Sequence, residues 1–468
     1  MPGSLQEARR LLRSLHHQHD LLEVRIDQLG EFNIRELLAG PRGKVIITNR
    51  RSSEGGMFRG NTKGQSSILA NALHGGAEYV DVGLSWGKEF VQDLVDTFGA
   101  NRVICSYHDL KKTPRDLGNV YDRCRATGAG TIKIATTANS ISDNVIMFDV
   151  LDRARKNRQE MIGICMGERG VISRILGGKH GSWLSFASLT ENEKTGAGQL
   201  TVSEMNTIFR AGRISRRTKV FGLVGNPVRH SRGIYFHNER FRRTSSDAVY
   251  VNFLTDDIDD FWNSYQRLIT GLSITMPFKQ KIIPLLDRVD PVTAALRSVN
   301  TVIRKRNRYT GYNTDYLAVE ELLGRHGSLK GRSVVILGAG GIARAMCAAA
   351  VRFGAHVTIL ARTAGKAKAL AADFSCQWNS LDQAGNLSAD FVMNATPIGM
   401  SGSGMENQAP LPSPAYGKNT VMFDAVYNPP LTPLLKDARR KGCKIIRGTE
   451  LFERQAILQS RMFIGAIS

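Results

Sequence analysis

No apolar run in this chain approaches the ~18–20 residues that a bilayer span requires, so no helical membrane segment is expected. The opening residues, Met1-Pro2-Gly3-Ser4-Leu5-Gln6-Glu7-Ala8-Arg9-Arg10, lack the apolar core of a signal peptide, which argues against export. Cysteine is sparse. Cys105, Cys124, Cys165, Cys347, Cys376 and Cys443 form no C-x-x-C pair, which fits buried free thiols in a reducing cytoplasm better than disulfides or zinc. No His/Asp/Cys cluster has ligand spacing, and no metal is expected. The formal charge of +21 has no Lys/Arg block or interleaved aromatics behind it, so a basic surface attracting small anions is preferred to a nucleic-acid partner. Internal repeats and low-complexity segments are absent.

With 468 residues, 42% of them hydrophobic and 22% charged, the chain is globular and predicts two or three domains rather than one core. Over the first 210 residues, short apolar runs at 21–26, 45–48, 79–82, 103–106, 131–135, 161–166 and 183–187 alternate with amphipathic stretches. Repeated β/α units predict an α/β fold. Chemistry-bearing residues at the strand ends favour a (β/α)8-type barrel over a doubly wound sheet. The runs number seven, and residues 5–19 read as a helix where a first strand is expected, so that strand is apparently missing. A basic linker at 211–218 leads to a second α/β region from residue 219, with a dinucleotide-type unit from about 329. The expected domains are 1–215, 219–315 plus 446–468, and 316–445.

In Glu23-Val24-Arg25-Ile26-Asp27 the charged side chains share one face of a strand. Inside a barrel they must pair or meet a ligand. Arg50 ends the next run, and Arg174 and Gln199 follow later ones. Three arginines around His108 and Lys133 describe a pocket for an anionic substrate with a reactive carbonyl. A partly desolvated lysine near other cations has a lowered pKa and serves as a nucleophile. The imine it forms acidifies the neighbouring C–H, and His108 suits the base. Asp27 and Asp81 read as structural, since either could pair with Arg25 inside the barrel.

Across about residues 15–210 these motifs resemble type I 3-dehydroquinate dehydratase. The resemblance implies that Lys133 forms the Schiff base, that His108 is the general acid/base and that Glu54 orients it. Glu23, Arg25, Arg50, Arg174, Thr195 and Gln199 would then bind substrate. Gly83 stands where that family usually has Glu, a departure that puts the efficiency of this half in question.

In the second region, Lys279 after Thr275-Met276-Pro277-Phe278 and Asp315 in Asn313-Thr314-Asp315 suit a proton shuttle at a carbonyl/alcohol centre while hydride arrives on the other face. Val334-Val335-Ile336-Leu337 runs into Gly338-Ala339-Gly340-Gly341-Ile342-Ala343, a glycine turn that brings a pyrophosphate to a helix N-terminus. The next strand ends in Ala361-Arg362-Thr363 instead of an acidic residue, which suits a 2′-phosphate and favours NADP(H).

Residues 219–468 resemble shikimate dehydrogenase, on 225–231, 273–279, 299–301, 313–315, Asn394-Ala395-Thr396-Pro397, Asp424-Ala425-Val426-Tyr427, Gly448 and Gln455. The resemblance implies that Lys279 and Asp315 are the catalytic pair. It implies that Ser231, Thr275, Asn300, Tyr427 and Gln455 contact substrate, and that Ala425 and Gly448 line the nicotinamide. Gly338, Ala339, Gly340, Gly341, Ile342, Ala361, Arg362, Thr363, Lys366 and Thr396 would complete the cofactor site. Two positions depart from that family. Ser231-Arg232-Gly233 lacks the second serine of Ser-x-Ser, with Arg232 a candidate substitute, and Ala361 replaces the usual Asn.

The expectation is therefore a fused enzyme of the shikimate pathway. A lyase makes 3-dehydroshikimate from 3-dehydroquinate, and an NADP-dependent oxidoreductase reduces it to shikimate in chorismate and aromatic amino acid biosynthesis. The rivals are an NAD-preferring quinate/shikimate dehydrogenase with an impaired barrel, which Arg362 opposes, and a non-catalytic sensor, which the retained Lys133 and Lys279 oppose.

Overall fold

The computed structural model describes residues 4–15, 21–29, 33–193, 197–229, 231–382, 389–411 and 416–467. They form two compact units, 1–219 with 247–268, and 220–246 with 269–468. Residues 247–268, read from sequence as part of the second module, thus pack with the first. No helix of the described residues is long and apolar enough to cross a membrane.

The first unit is built on strands β1 (Leu22–Arg25), β2 (Val45–Thr48), β3 (Tyr79–Gly83), β4 (Val103–Asp109), β5 (Thr131–Thr137) and β6 (Glu160–Met166), which pair in parallel in chain order. Near-continuous burial of β2 and β5 is the mark of parallel strands covered on both faces. Helices Thr62–His74, Lys88–Phe98, Leu117–Arg125, Asp143–Lys156 and Val171–His180 follow the strands from β2 onward.

The expected seventh strand at 183–187 does not form. Trp183 donates its N–H to Met161, and the chain then pairs only through an isolated bridge between Ser188 and Thr201. The apolar run that suggested a strand has another cause, because Trp183, Leu184 and Phe186 pack against Ala135, Ile162 and Ile164 of the sheet. Among the described residues this unit's ladder has six strands. The opening helix is present as Leu5–Leu15, while 16–19 lie outside the described residues.

The second unit holds two sheets. In the first, strands run in the order Arg288–Val289, Arg308–Tyr312, Thr301–Lys305, Ile269–Ile274, Lys219–Gly225, with mixed directions. The second is wholly parallel, in the order Gln377–Ser380, His356–Ala361, Ser333–Leu337, Phe391–Asn394, Val421–Asp424, Lys444–Ile446. Numbered along the chain that order is 3-2-1-4-5-6, the doubly wound dinucleotide arrangement. Its reversal lies between Ser333–Leu337 and Phe391–Asn394, beside the glycine turn. Helix Gly448–Gly465 returns to the first sheet, where Gln459 accepts from Ser273 (2.7 Å) and donates to Thr301 Oγ1 (2.8 Å) and the Asn300 carbonyl (3.1 Å).

Candidate active sites

The ladder register decides which side chains meet in the first unit. Arg25 lies beside Thr48, which lies beside Asp81; Gly83, Ser106, Lys133 and Ile162 form one row, and His108, Ala135 and Ile164 the next. One inward face therefore carries Glu23, Asp81, Ser106, His108 and Lys133.

Asp81 is the hub. Its carboxylate accepts from Lys133 Nζ (2.9 Å), Arg50 Nη2 (2.9 Å) and Ser106 Oγ (2.6 Å). Burial would raise its pKa, but Arg50 and Lys133 hold it well below the usual carboxylate range. Lys133 also donates to Glu23 Oε1 (3.0 Å) and sits 4.1 Å from the centre of the Phe186 ring. Burial raises the Glu23 pKa too, and the Lys133 ammonium outweighs it. The sequence predicted a lysine among cations; the structure instead puts two carboxylates in contact with it.

His108 Nδ1 is 2.7 Å from Arg50 Nη1. A guanidinium only donates, so Nδ1 is the acceptor and the imidazole is neutral here. Burial, then the Arg50 and Lys133 cations, drive its pKa well below the ordinary histidine value. Glu54, expected to orient His108, meets Arg50 at 3.8 Å and hydrogen-bonds Ser85, with burial raising its pKa. The arginines differ in what they hold. Arg25 is paired bidentately with Asp27, one of the two partners the sequence left open, whereas among the described residues Arg174 bonds only the Phe186 carbonyl through Nη1 (3.2 Å). Among the described residues Arg174 Nε is buried without a partner, and burial pushes the group's pKa down to about 10. A buried N–H in that state is poised for an anion.

Glu23, Arg25, Arg174 and Gln199 line a cavity of about 680 Å³ together with Leu12 and Trp183. Thr195 lies outside the described residues. Asp81 joins Arg50 and Lys133 directly, and through them His108 and Glu23. Asp81, read from sequence as a possible partner of Arg25, pairs with Arg50 and Lys133 instead, and Ser106 was missed, because only the register between strands reveals that they face Lys133.

In the second unit Lys279 Nζ donates to Asp315 Oδ2 at 2.5 Å. Both ends of the pair are fixed by their own motifs. Asn313 caps helix Thr314–Gly324 by accepting from the Tyr316 N–H (2.9 Å) and donates to the Ser298 carbonyl (2.6 Å), which sets Asp315 in the first turn. Buried Phe278 anchors the lysine turn, and the Lys279 carbonyl accepts from the Val299 N–H (2.8 Å). Asn300 is a brace as much as a contact. Its Oδ1 accepts from the Thr314 N–H and Thr301 Oγ1, and its Nδ2 donates to Thr314 Oγ1. Ser231 Oγ accepts from the Gly233 N–H (3.1 Å), Thr275 and Gln455 are half-buried, and Tyr427 packs on Phe452 at 5.1 Å. Cis peptide bonds occur at Asn226-Pro227, Met276-Pro277 and Asn428-Pro429, all in these loops.

The glycine turn fits a dinucleotide. Gly338 has φ +107°, Gly340 faces open space, and the next residue starts helix Gly341–Arg352. At Gly341 a Cβ would meet Lys279 Cδ at 3.2 Å, so the helix start and the lysine are neighbours. Ala339 and Ile342 are half-buried beside it. Ala361 is buried at its strand end, whereas Arg362, Thr363 and Lys366 are exposed, able to meet a 2′-phosphate. Thr396 is tied back to Asn394 Oδ1 through its N–H and hydroxyl. Gly448 is forced to be small, since a Cβ would lie 2.1 Å from the Val426 carbonyl beside Ala425.

Residues 2–215 match the type I 3-dehydroquinase family, 223–302 the shikimate dehydrogenase substrate binding domain, and 294–413 the NAD binding domain of D-isomer specific 2-hydroxyacid dehydrogenases. The chloroplastic bifunctional 3-dehydroquinate dehydratase/shikimate dehydrogenase of Arabidopsis thaliana is 34% identical over 473 residues, covering 95% of this chain and 78% of the relative. A shikimate dehydrogenase (NADP+) of Pyrococcus abyssi is 35% identical over 53% of this chain and 92% of its own. A shikimate dehydrogenase solved with NADP+ superposes with a TM-score of 0.50 at 30% identity, over 54% of this chain and 92% of that one. With both modules matched in order along nearly the whole length, the chain belongs to the bifunctional 3-dehydroquinate dehydratase/shikimate dehydrogenase family.

Proposed function

We propose that the two modules catalyse consecutive steps, dehydration of 3-dehydroquinate to 3-dehydroshikimate and NADPH-dependent reduction of that product to shikimate. The observation that carries the first step is a buried lysine on the same inward face as a neutral histidine, with Arg174, whose Nε has no partner among the described residues, lining the adjoining cavity. Arg174, and Arg25 beside it, take the substrate carboxylate. Lys133 passes a proton to Glu23 or Asp81, attacks the ketone and releases water as the imine forms. The protonated imine accepts the electron pair of the neighbouring C–H bond. His108 removes that proton at Nδ1 once Arg50 turns toward substrate, and returns it to the departing hydroxyl as water. Hydrolysis of the imine regenerates Lys133. Glu54 holds Arg50 and, through it, the histidine; Arg50, Thr195 and Gln199 complete the substrate contacts.

In the second module, residues 219–315 plus 446–468 form the substrate lobe and 316–445 the NADP(H) lobe. NADPH supplies hydride to the ketone carbon when bound. Lys279 donates the proton that converts the carbonyl oxygen to hydroxyl, and Asp315 keeps the ammonium placed. Ser231, Thr275, Asn300, Tyr427 and Gln455 orient the ring, Ala425 and Gly448 leave room for the nicotinamide, and Arg362 with Thr363 and Lys366 holds the 2′-phosphate. Six free cysteines support placing the chain in a reducing compartment such as the cytoplasm. Borohydride added with 3-dehydroquinate should fix substrate mass on Lys133. A protein that turns over substrate yet gains no mass there would remove the imine step.

A further inference from the structure

The thiols of Cys347 and Cys376 lie 3.6 Å apart, Sγ to Sγ. Cys347 is fully buried in helix Gly341–Arg352, which begins at the glycine turn. Cys376 follows helix Ala364–Phe374 and a left-handed residue, Ser375 (φ +54°), and is partly exposed. Cys105 and Cys124 also neighbour each other, but both are fully buried and shielded from any oxidant. The hydrogen bond between the two thiols lowers the pKa of Cys376 and raises that of Cys347, so the exposed member is the one that ionises.

We propose that Cys347 and Cys376 form a reversible thiol/disulfide site, oxidised by a low-molecular-weight disulfide, and that closing the bond weakens NADP(H) binding. The Cys376 thiolate attacks one sulfur of the small disulfide, forming a mixed disulfide and expelling one thiolate. Cys347 gives up its proton and attacks the Cys376 sulfur, expelling the second. Two protein thiols are oxidised and one small disulfide is reduced to two thiols. A disulfide is about 2.05 Å long, so the sulfurs must approach by about 1.5 Å. Cys347 cannot supply that movement, because Ala343, Met346, Ala349 and Ala350 around it are fully buried. The shift falls on the Ser375 turn and on helix Ala364–Phe374, whose N-cap is Thr363, directly after Arg362, and whose first turn carries Lys366. This consequence for affinity rests on the cofactor role proposed for those residues.

The test treats the full chain with oxidised glutathione, maps peptides by mass under non-reducing conditions, and titrates NADPH before and after. Expected are a Cys347–Cys376 cross-link with loss of two hydrogens, reversal by dithiothreitol, a several-fold weaker NADPH Kd in the oxidised form and unchanged dehydratase turnover. Cys376→Ser should abolish both effects, and Cys347→Ser should stall with glutathione on Cys376. Stable glutathione on Cys376 of the unmodified sequence, or no cross-link while Cys376 alkylates readily, overturns the site. An unchanged NADPH Kd across a confirmed cross-link overturns the coupling. Should the reduced protein itself fail to bind NADPH, the cofactor reading fails, while the mass measurement still decides the cross-link.

Discussion

At Gly83 a Cβ would sit 2.3 Å from Glu54 Oε2, so the missing side chain at this strand end and the placement of Glu54 are one arrangement. The obstructing atoms are the tip of a flexible side chain, so Gly83→Ala is expected to move Glu54 rather than unfold the barrel. Dehydratase turnover should fall on the order of 10–100-fold, as small misplacements do, with thermal unfolding of the purified variant little changed. His108→Ala should lower dehydratase turnover by about 10²–10⁴-fold while borohydride still traps an imine; Lys133→Met should lose turnover and trapping together, read by intact mass. In the other module, Arg362→Ala removes a charge-assisted contact worth about 1.5–3 kcal/mol. NADPH affinity should weaken by roughly 10–100-fold with NADH affinity unchanged, measured by fluorescence titration. Most of these residues were legible as motifs because their chemistry is local: an Asn-Thr-Asp run at Asp315, glycines before a helix, an arginine at a strand end. Asp81 was not. Alternation showed its face, but its bonds to Lys133 and Arg50 depend on the pairing of β3 with its neighbours, which is non-local.

Among the elements, the Val421–Asp424 strand ends on a buried carboxyl that holds the cofactor loop. Asp424 accepts from the Asn394 side chain (2.9 Å), the Thr432 hydroxyl (2.6 Å) and the Val426 N–H (3.0 Å). Burial outweighs these donors and raises its pKa to about 6. The folded state then binds this proton more tightly than the unfolded chain, whose carboxyl titrates near 4. Its contribution is present below about pH 4 and is lost as pH rises through about 6, a loss of at most about 3 kcal/mol. Asp424→Asn keeps the acceptor oxygen and removes the charge. Relative to the parent, its Tm should therefore rise between pH 4 and pH 7, measured by differential scanning calorimetry; a parallel pair of profiles would contradict this. Element identity was readable where a strand's own residues suffice, as in the buried β2 and β5. It failed at 183–187, where Trp183, Leu184 and Phe186 form an apolar run that packs against the sheet, yet no ladder forms beyond the Trp183 bond and the Ser188–Thr201 bridge. An apolar run records burial; a strand also needs a neighbour, and that partnership is absent from local sequence.

For the molecule as a whole, two units, each holding a lysine proposed as catalytic, imply separable activities on one chain. Full-length Lys133→Met should reduce 3-dehydroshikimate at the parent rate but leave 3-dehydroquinate untouched, and full-length Lys279→Met should accumulate 3-dehydroshikimate without consuming NADPH. Mixed together, the two variants should restore shikimate formation through free intermediate, followed by chromatography of the products. The most direct measurement supplies the purified chain with 3-dehydroquinate and NADPH and follows the absorbance of the reduced cofactor. Oxidation of NADPH with shikimate as product is the predicted result. Oxidation from added 3-dehydroshikimate but not from 3-dehydroquinate, or none from either, would contradict it.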